Sequence, residues 1–135
     1  LQTDLNDAIL EAEAALIVRE DSGEIVYATP ALEQMFVYLC KGELSIEGRT
    51  VEDLLPMNKR EIHRDVHRPA YRANPQPRAM GCGQVLEGQR KDGSLFPVAV
   101  MLRGRIISGV RCVVATVMNM TGWVPAVYIN GPSKP

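Results

Sequence analysis

Apolar and polar positions along the chain change period several times, and each change marks an element. Residues 3–16, TDLNDAILEAEAAL, carry Leu5, Ile9 and Ala12 at helical spacing with Thr3 or Asp4 available as a cap, which predicts a short leading helix over 1–12. Ala15–Arg19 is a β-prone run, Asp21-Ser22-Gly23 is a turn, and Glu24–Ala28 is β-prone again, so a first hairpin is expected there. Thr29 then stands before Pro30 and the apolar-bearing Ala31–Phe36; a capping hydroxyl followed by proline at the first helical position predicts a short helix. From Cys40 to Asn58, Gly42, Gly48 and Pro56 break up brief apolar clusters at Val51, Leu54 and Leu55, and one-turn helices and loops are expected.

Residues 58–72, NKREIHRDVHRPAYR, return to helical spacing, with Ile62, Val66 and Ala70 as the stripe expected to be buried and Pro69 expected to kink or end the helix. The segment 84–101, QVLEGQRKDGSLFPVAVM, joins two apolar-bearing runs across Asp92-Gly93. That pair is a strong local hairpin signal, because the turn needs a positive φ that Gly93 adopts without steric cost. Residues 110–120, with the β-branched cluster around Val113, Val114 and Thr116, read as a central strand. Two strands, irregular helices and then three strands make an α+β order with an antiparallel sheet.

Composition narrows the class without naming a function. At 135 residues with 46% hydrophobic content, the chain suits one domain with a real core. A net charge of -1, from 15 basic and 16 acidic residues, points neither to nucleic acid nor to a membrane surface. No stretch approaches the ~20 apolar residues needed to span a bilayer. Cys40, Cys82 and Cys112 are widely spaced with no CxxC pair, which suits a reducing, cytoplasmic compartment better than a disulfide scaffold.

Four segments in order carry a family resemblance. They are Glu24-Ile25-Val26-Tyr27-Ala28-Thr29-Pro30-Ala31, the run 48–56 (GRTVEDLLP), the run 88–98 (GQRKDGSLFPV) and Asn119-Met120-Thr121, where the family often ends in D-I-T. In these the chain resembles a PAS domain over roughly residues 8–122. The resemblance implies a five-stranded antiparallel sheet with short helices and one longer helix packed on one face, and a pocket between sheet and helix. The expected division is a flanking helix over 1–12, the PAS domain over 13–122, and an extension or tail over 123–135, where residues 126–129 form either a further strand or part of a disordered tail.

The resemblance also implies a role. Such domains sit in histidine kinases, cyclic-dinucleotide enzymes and transcription regulators; they bind a small ligand or cofactor, dimerise, and are not themselves catalytic. A homodimer through the N-terminal helix and sheet is expected, with an effector domain of the parent protein, kinase, cyclase or DNA-binding, receiving the signal. No direct contact with nucleic acid or membrane is expected. A constitutive docking module with a filled core is the alternative, and a haem-based gas or redox sensor a lesser one.

Within the family, oxygen-sensing kinases carry a proximal histidine on the long helix and a G-x-G-R run on the following strand. Here that run is Gly81-Cys82-Gly83-Gln84, with Gln84 in place of the arginine and Cys82 where a related haem sensor places a methionine. Counting back without gaps puts Arg64 at the histidine position, so His63 qualifies as an iron ligand only if the helix-to-strand link is one residue longer here. His67 is the other imidazole, and four-residue spacing predicts that His63, His67 and Tyr71 share a face. The HxxxH spacing lacks both a third ligand and the glutamate of the helical peptidase motif, Arg64 standing in its place, so no metal site is assigned. Leu39-Cys40-Lys41 does not resemble the cysteine-bearing helix of the family's photoactive flavin members, and 5% aromatics leaves few rings to stack on a flavin.

Ligand-pocket candidates are therefore His63, His67, Tyr71, Met80, Cys82, Gln84, Leu86, Val114 and Thr116. The last two are chosen as the inward face of the final strand because Thr116 offers a polar handle; the alternative set is Val113, Ala115 and Val117. Arg60, Arg64, Arg68 and Arg72 recur every four residues, as a solvated face or as a cationic ridge, and Arg64 is the candidate contact for an anionic ligand. Met80, Met101 and Met118 read as core fillers. No nucleophile, acid/base pair or other catalytic constellation appears.

Overall fold

The computed structural model describes residues 13–38, 45–74, 76–80 and 86–122, the side chains of 78–80 excepted. The leading helix, the segment around Cys40, Cys82 and Gln84, and the 123–135 extension lie outside the described residues.

The early hairpin forms as its pattern predicts. Strand β1 (Ala15–Arg19) pairs antiparallel with β2 (Ile25–Ala28), with a bulge between Ile17 and Val18 and Gly23 in the connecting turn at φ 77. Helix α1 (Pro30–Phe36) starts directly after it: the Thr29 hydroxyl accepts the amide of Leu32, and also accepts from Ala15 while donating to the carbonyl of Glu13. One buried side chain thus caps the helix and ties its start to β1, a cap worth about 1 kcal/mol in general. Two 3₁₀ turns, Val51–Leu54 and Met57–Lys59, occupy the irregular middle. The long helix then runs as an α-helical turn (Arg60–Ile62), a π-helical turn (His63–His67) and an α-helical segment (Arg68–Ala73).

The sheet runs in the order β2, β1, β6, β5 and then one further position filled by two short pieces. Strands β3 (Arg78–Met80) and β4 (Leu86–Gln89) both pair with β5 (Leu95–Ile107), opposite residues 100–102 and 95–98 respectively. Six strand segments therefore make a five-stranded antiparallel sheet. The Asp92-Gly93 hairpin closes with tight backbone bonds: the Arg90 amide donates to Ser94, the Gly93 amide donates to Arg90, and Gly93 sits at φ 93.

Strand β5 outruns the sequence reading by six residues, from 101 to Ile107. It turns into β6 (Val110–Asn119) through Ser108 and Gly109, both at positive φ, the two-residue geometry that matches strand twist. A Ser-Gly pair between β-prone runs was the available signal for this third hairpin.

Side chains on the helix side of the sheet, among them Leu16, Val18, Ile25, Phe96, Val98, Ala115 and Val117, pack with Leu32, Phe36 and Ile46 into the main core. Each large apolar side chain so buried contributes about 1.5–3 kcal/mol. The opposite face holds a smaller cluster of Ala15, Ile17, Ile107, Cys112 and Val114. Central β1 is buried on both faces, which is why its sequence reads as an unbroken apolar run.

Candidate functional site

The long helix is where local rules and the fold disagree. Proline has no amide hydrogen, and its ring presses on the carbonyl four residues earlier, so Pro69 cannot sit in an undisturbed α-helix. The chain does not end or break there. It widens: the amide of Arg68 donates to the carbonyl of His63, five residues back, and the helix continues to Ala73. A π turn of this kind holds one more residue than an α turn.

The extra residue brings His63 round to the side of Arg68. His63 and Arg68 turn toward the body of the domain and Tyr71 is buried, while Ile62 and Val66 are 48% and 53% exposed and Ala70 is exposed with them. The stripe expected in the core is on the surface, because the helix buries Tyr71 instead. His67 is exposed too, so the face shared by His63 and Tyr71 does not include it; the imidazoles of His63 and His67 stand edge-on with centroids 6.2 Å apart. Among the described residues no third side chain joins them as a metal ligand.

His63 and Arg68 converge on a single oxygen. The Nδ1 of His63 lies 2.7 Å and the Nε of Arg68 2.8 Å from Oε2 of Glu52, whose side chain is 7% exposed in the 3₁₀ turn Val51–Leu54. The guanidinium of Arg68 also lies against the first hairpin: a Cβ on Gly23 would fall 2.8 Å from its Cζ. A carboxylate this buried requires such partners, since an uncompensated charge out of water costs several kcal/mol. With Nδ1–H donated to the carboxylate, a neutral His63 keeps Nε2 as an acceptor or ligand.

The arginines divide between two roles. Arg60 donates to the carbonyls of Leu55 and Asp53 and, like Arg68, ties the helix inward. Arg64 is exposed and forks onto its neighbour Asp65 at 2.9 and 3.2 Å, a hydrogen bond that holds the Asp65 carboxyl below its ordinary pKa. Arg72 and Arg111 approach the buried carboxylate of Glu20 at 3.7 and 3.2 Å. Arg64, Arg68 and Arg72 line one surface cleft of about 320 Å³ together with Pro69, Glu20 and Asp21. Three of the four arginines thus keep to one side of the helix at four-residue spacing, while Arg60 turns to the carbonyls of Leu55 and Asp53.

Strand period two settles the last strand. Val100 pairs with Val117 and Leu102 with Ala115, and all four lie on the helix side. Val114 and Thr116 alternate with them and face the other way, Val114 fully buried beside Ile17 and Thr116 half-buried. The choice of those two as the inward face is therefore corrected to Val113, Ala115 and Val117. Met101 and Met118 are 49% and 62% exposed and fill no core. Leu86 packs against the main core as expected for a helix-side residue, and Met80 occupies the position opposite Val100. Tyr71 reaches across to β5, its hydroxyl 3.9 Å from where a Cβ on Gly104 would stand.

Glu52, the acceptor of this site, escaped the sequence reading, and Arg68 entered it only as one of the four arginines at four-residue spacing. Nothing local marks Glu52 as a buried acid. The π turn had one local signal, Pro69 inside an otherwise helical pattern.

A five-stranded antiparallel sheet in the order 2-1-5-4-3, counting the split edge as one strand, with short helices and one long helix over one face, is the PAS fold, and the described residues have it. No protein-family model matches the chain. It is similar to the sensor protein FixL of Bradyrhizobium diazoefficiens, 31% identical over 108 residues that cover 80% of this chain and 20% of that protein. The chain thus spans about a fifth of the length of this relative. Among solved structures it resembles the PAS domain of a Desulfitobacterium hafniense protein, with a TM-score of 0.66, 15% identity and coverage of 82% of this chain and 97% of the other. It also resembles a PAS domain from a two-component sensor histidine kinase, with a TM-score of 0.61, 13% identity and coverage of 87% and 93%. No helix among the described residues is long and apolar enough to cross a membrane.

Proposed function

We propose that this chain is the sensory and protein-interaction domain of a cytoplasmic two-component or transcription-regulating protein, itself non-catalytic. A small ligand or cofactor binds between the long helix and the helix-side face of the sheet, and the signal passes through dimer contacts to an effector domain. The observation that supports this best is how the long helix is held. Tyr71 is the buried residue it contributes, while its other inward groups are the polar clasps of Arg60, His63 and Arg68. A helix fixed by polar contacts over a sheet face is displaced by a ligand at lower cost than one fixed by a packed apolar stripe. The likeness to a sensor protein accords with this. Native mass spectrometry and an absorption spectrum of the purified protein test it: a retained small molecule supports ligand sensing, and an empty, featureless protein that still dimerises favours the constitutive docking module instead.

One observation favours haem as a second reading. A gapless count puts Arg64 at the proximal position of the oxygen-sensing kinases and a helix-to-strand link one residue longer would put His63 there; the π turn, which holds one residue more than an α turn, supports His63. The donor chemistry fits: Glu52 engages Nδ1 and leaves Nε2 for iron. Bound haem would supply an iron centre able to take a diatomic gas. Titration with hemin tests this, since a Soret band lost in His63→Ala but kept in His67→Ala is expected, and equal loss or retention in both overturns it. For an anionic ligand, the site is the cleft of Arg64, Arg68 and Arg72.

A further inference from the structure

An uninterrupted α-helix over residues 60–73 would present different residues to the body of the domain from the π-interrupted helix found there. In an uninterrupted α-helix, side chains three, four, seven and eleven residues apart share a face. Counting back from buried Tyr71, those positions are Arg68, His67, Arg64 and Arg60. With the extra residue of the π turn, the position two turns before Tyr71 passes from Arg64 to His63, eight residues away, and that is the side chain found on Glu52.

We propose that His63–His67 is a register switch: in the π register His63 and Arg68 hold Glu52, and in the α register Arg64 takes the place of His63. Glu52 is satisfied in both, by an imidazole and a guanidinium in one and by two guanidiniums in the other. The pairing of Glu52 therefore does not itself choose between the registers, and other groups decide the balance of a two-state element. Two features hold the π register. Pro69 resists the α register because its ring opposes the Asp65 carbonyl, and the 2.7 Å contact of His63 with Glu52 is lost on leaving. The exchange moves a cation out of the surface cleft and into the interior face, where it alters both the cleft, which Arg64 lines, and the space under the helix. The Arg64–Asp65 pair, both side chains more than half exposed, opposes this exchange only weakly.

The acceptor of the Arg68 amide reports the register directly, as the carbonyl of His63 for π or of Arg64 for α. Through-hydrogen-bond scalar couplings in the isotope-labelled chain read it. The native protein is expected to couple Arg68 to His63. Pro69→Ala, which removes the block and keeps the His63 contact, is expected to show both couplings. Pro69→Ala/His63→Ala is expected to show the coupling to Arg64 alone, with the Arg64 Nε–H newly protected from exchange. A folded double variant that still couples Arg68 to His63 overturns the proposal. If the double variant does not fold, Pro69→Ala alone decides, an unmoved single coupling to His63 overturning it.

Discussion

The amide of Arg68 donates to the carbonyl of His63, five residues back, and a turn closed this way brings His63 to the side of the long helix that Arg68 and Tyr71 occupy. Because of it, two side chains that an α-helix would hold well apart around its axis meet on the same oxygen of Glu52.

Removing that oxygen leaves two donors half-buried without an acceptor. Glu52→Ala is expected to cost about 2–3 kcal/mol, below the roughly 3–5 of a fully buried pair because His63 and Arg68 keep some solvent access. Urea denaturation of Glu52→Ala, Arg68→Ala and the double variant measures it. The double variant should cost less than the sum of the singles; strict additivity would mean that the two groups are not coupled.

Val37 ends α1 at φ 64, the left-handed conformation, although it is β-branched and half-exposed. Its amide closes onto Gln34, and Tyr38 bonds back to Glu33 and is buried, so the anchored tyrosine holds the cap geometry. Glycine adopts this conformation without the Cβ penalty. Val37→Gly is expected to stabilise the domain by about 1 kcal/mol, seen as a rise in Tm of a few degrees. A lower Tm would show that the valine side chain contributes more than its strain costs.

Gly88 on β4 leaves room for the edge-to-face pair of Phe36 and Phe96, whose centroids are 5.0 Å apart. A Cβ there would stand 2.9 Å from one ring and 3.2 Å from the other. Neither ring has slack, since both are buried. Gly88→Ala should destabilise by about 1–3 kcal/mol through overpacking and shift the Phe ring resonances in NMR spectra. Normal stability with unmoved rings would refute this.

In the β4–β5 loop, the hydroxyl and amide of Ser94 both donate to the carboxylate of Asp92, and the hydroxyl bond above all holds its pKa below the ordinary value. A carboxyl whose pKa is lower in the folded state adds stability above its unfolded pKa, and that stability is lost as pH falls through the folded value. Ser94→Ala should therefore raise the Asp92 pKa toward the ordinary value in an NMR titration and flatten the acid limb of the stability curve. An unchanged Asp92 titration would assign the shift to another cause.

Where a rule is local, the amino-acid sequence decided the outcome. Thr29-Pro30 starts α1 because a hydroxyl acceptor and a preset φ act within one turn, and Asp92-Gly93 closes its hairpin because only a residue at ease with positive φ fits there. The strand order came from these pieces and from the four motifs that resemble a PAS domain. Tertiary structure decided which faces look inward. Val114 against Ala115 is a choice that period two leaves open, and only the register with β5 and the helices above it resolves it. On the long helix, the apolar stripe of Ile62 and Val66 lies away from buried Tyr71 and faces outward, and one inserted residue beside Pro69 brings His63 to Glu52 beside Arg68. Periodicity assumes a constant residue count per turn, and that count depended on a proline and a buried carboxylate brought together by the fold.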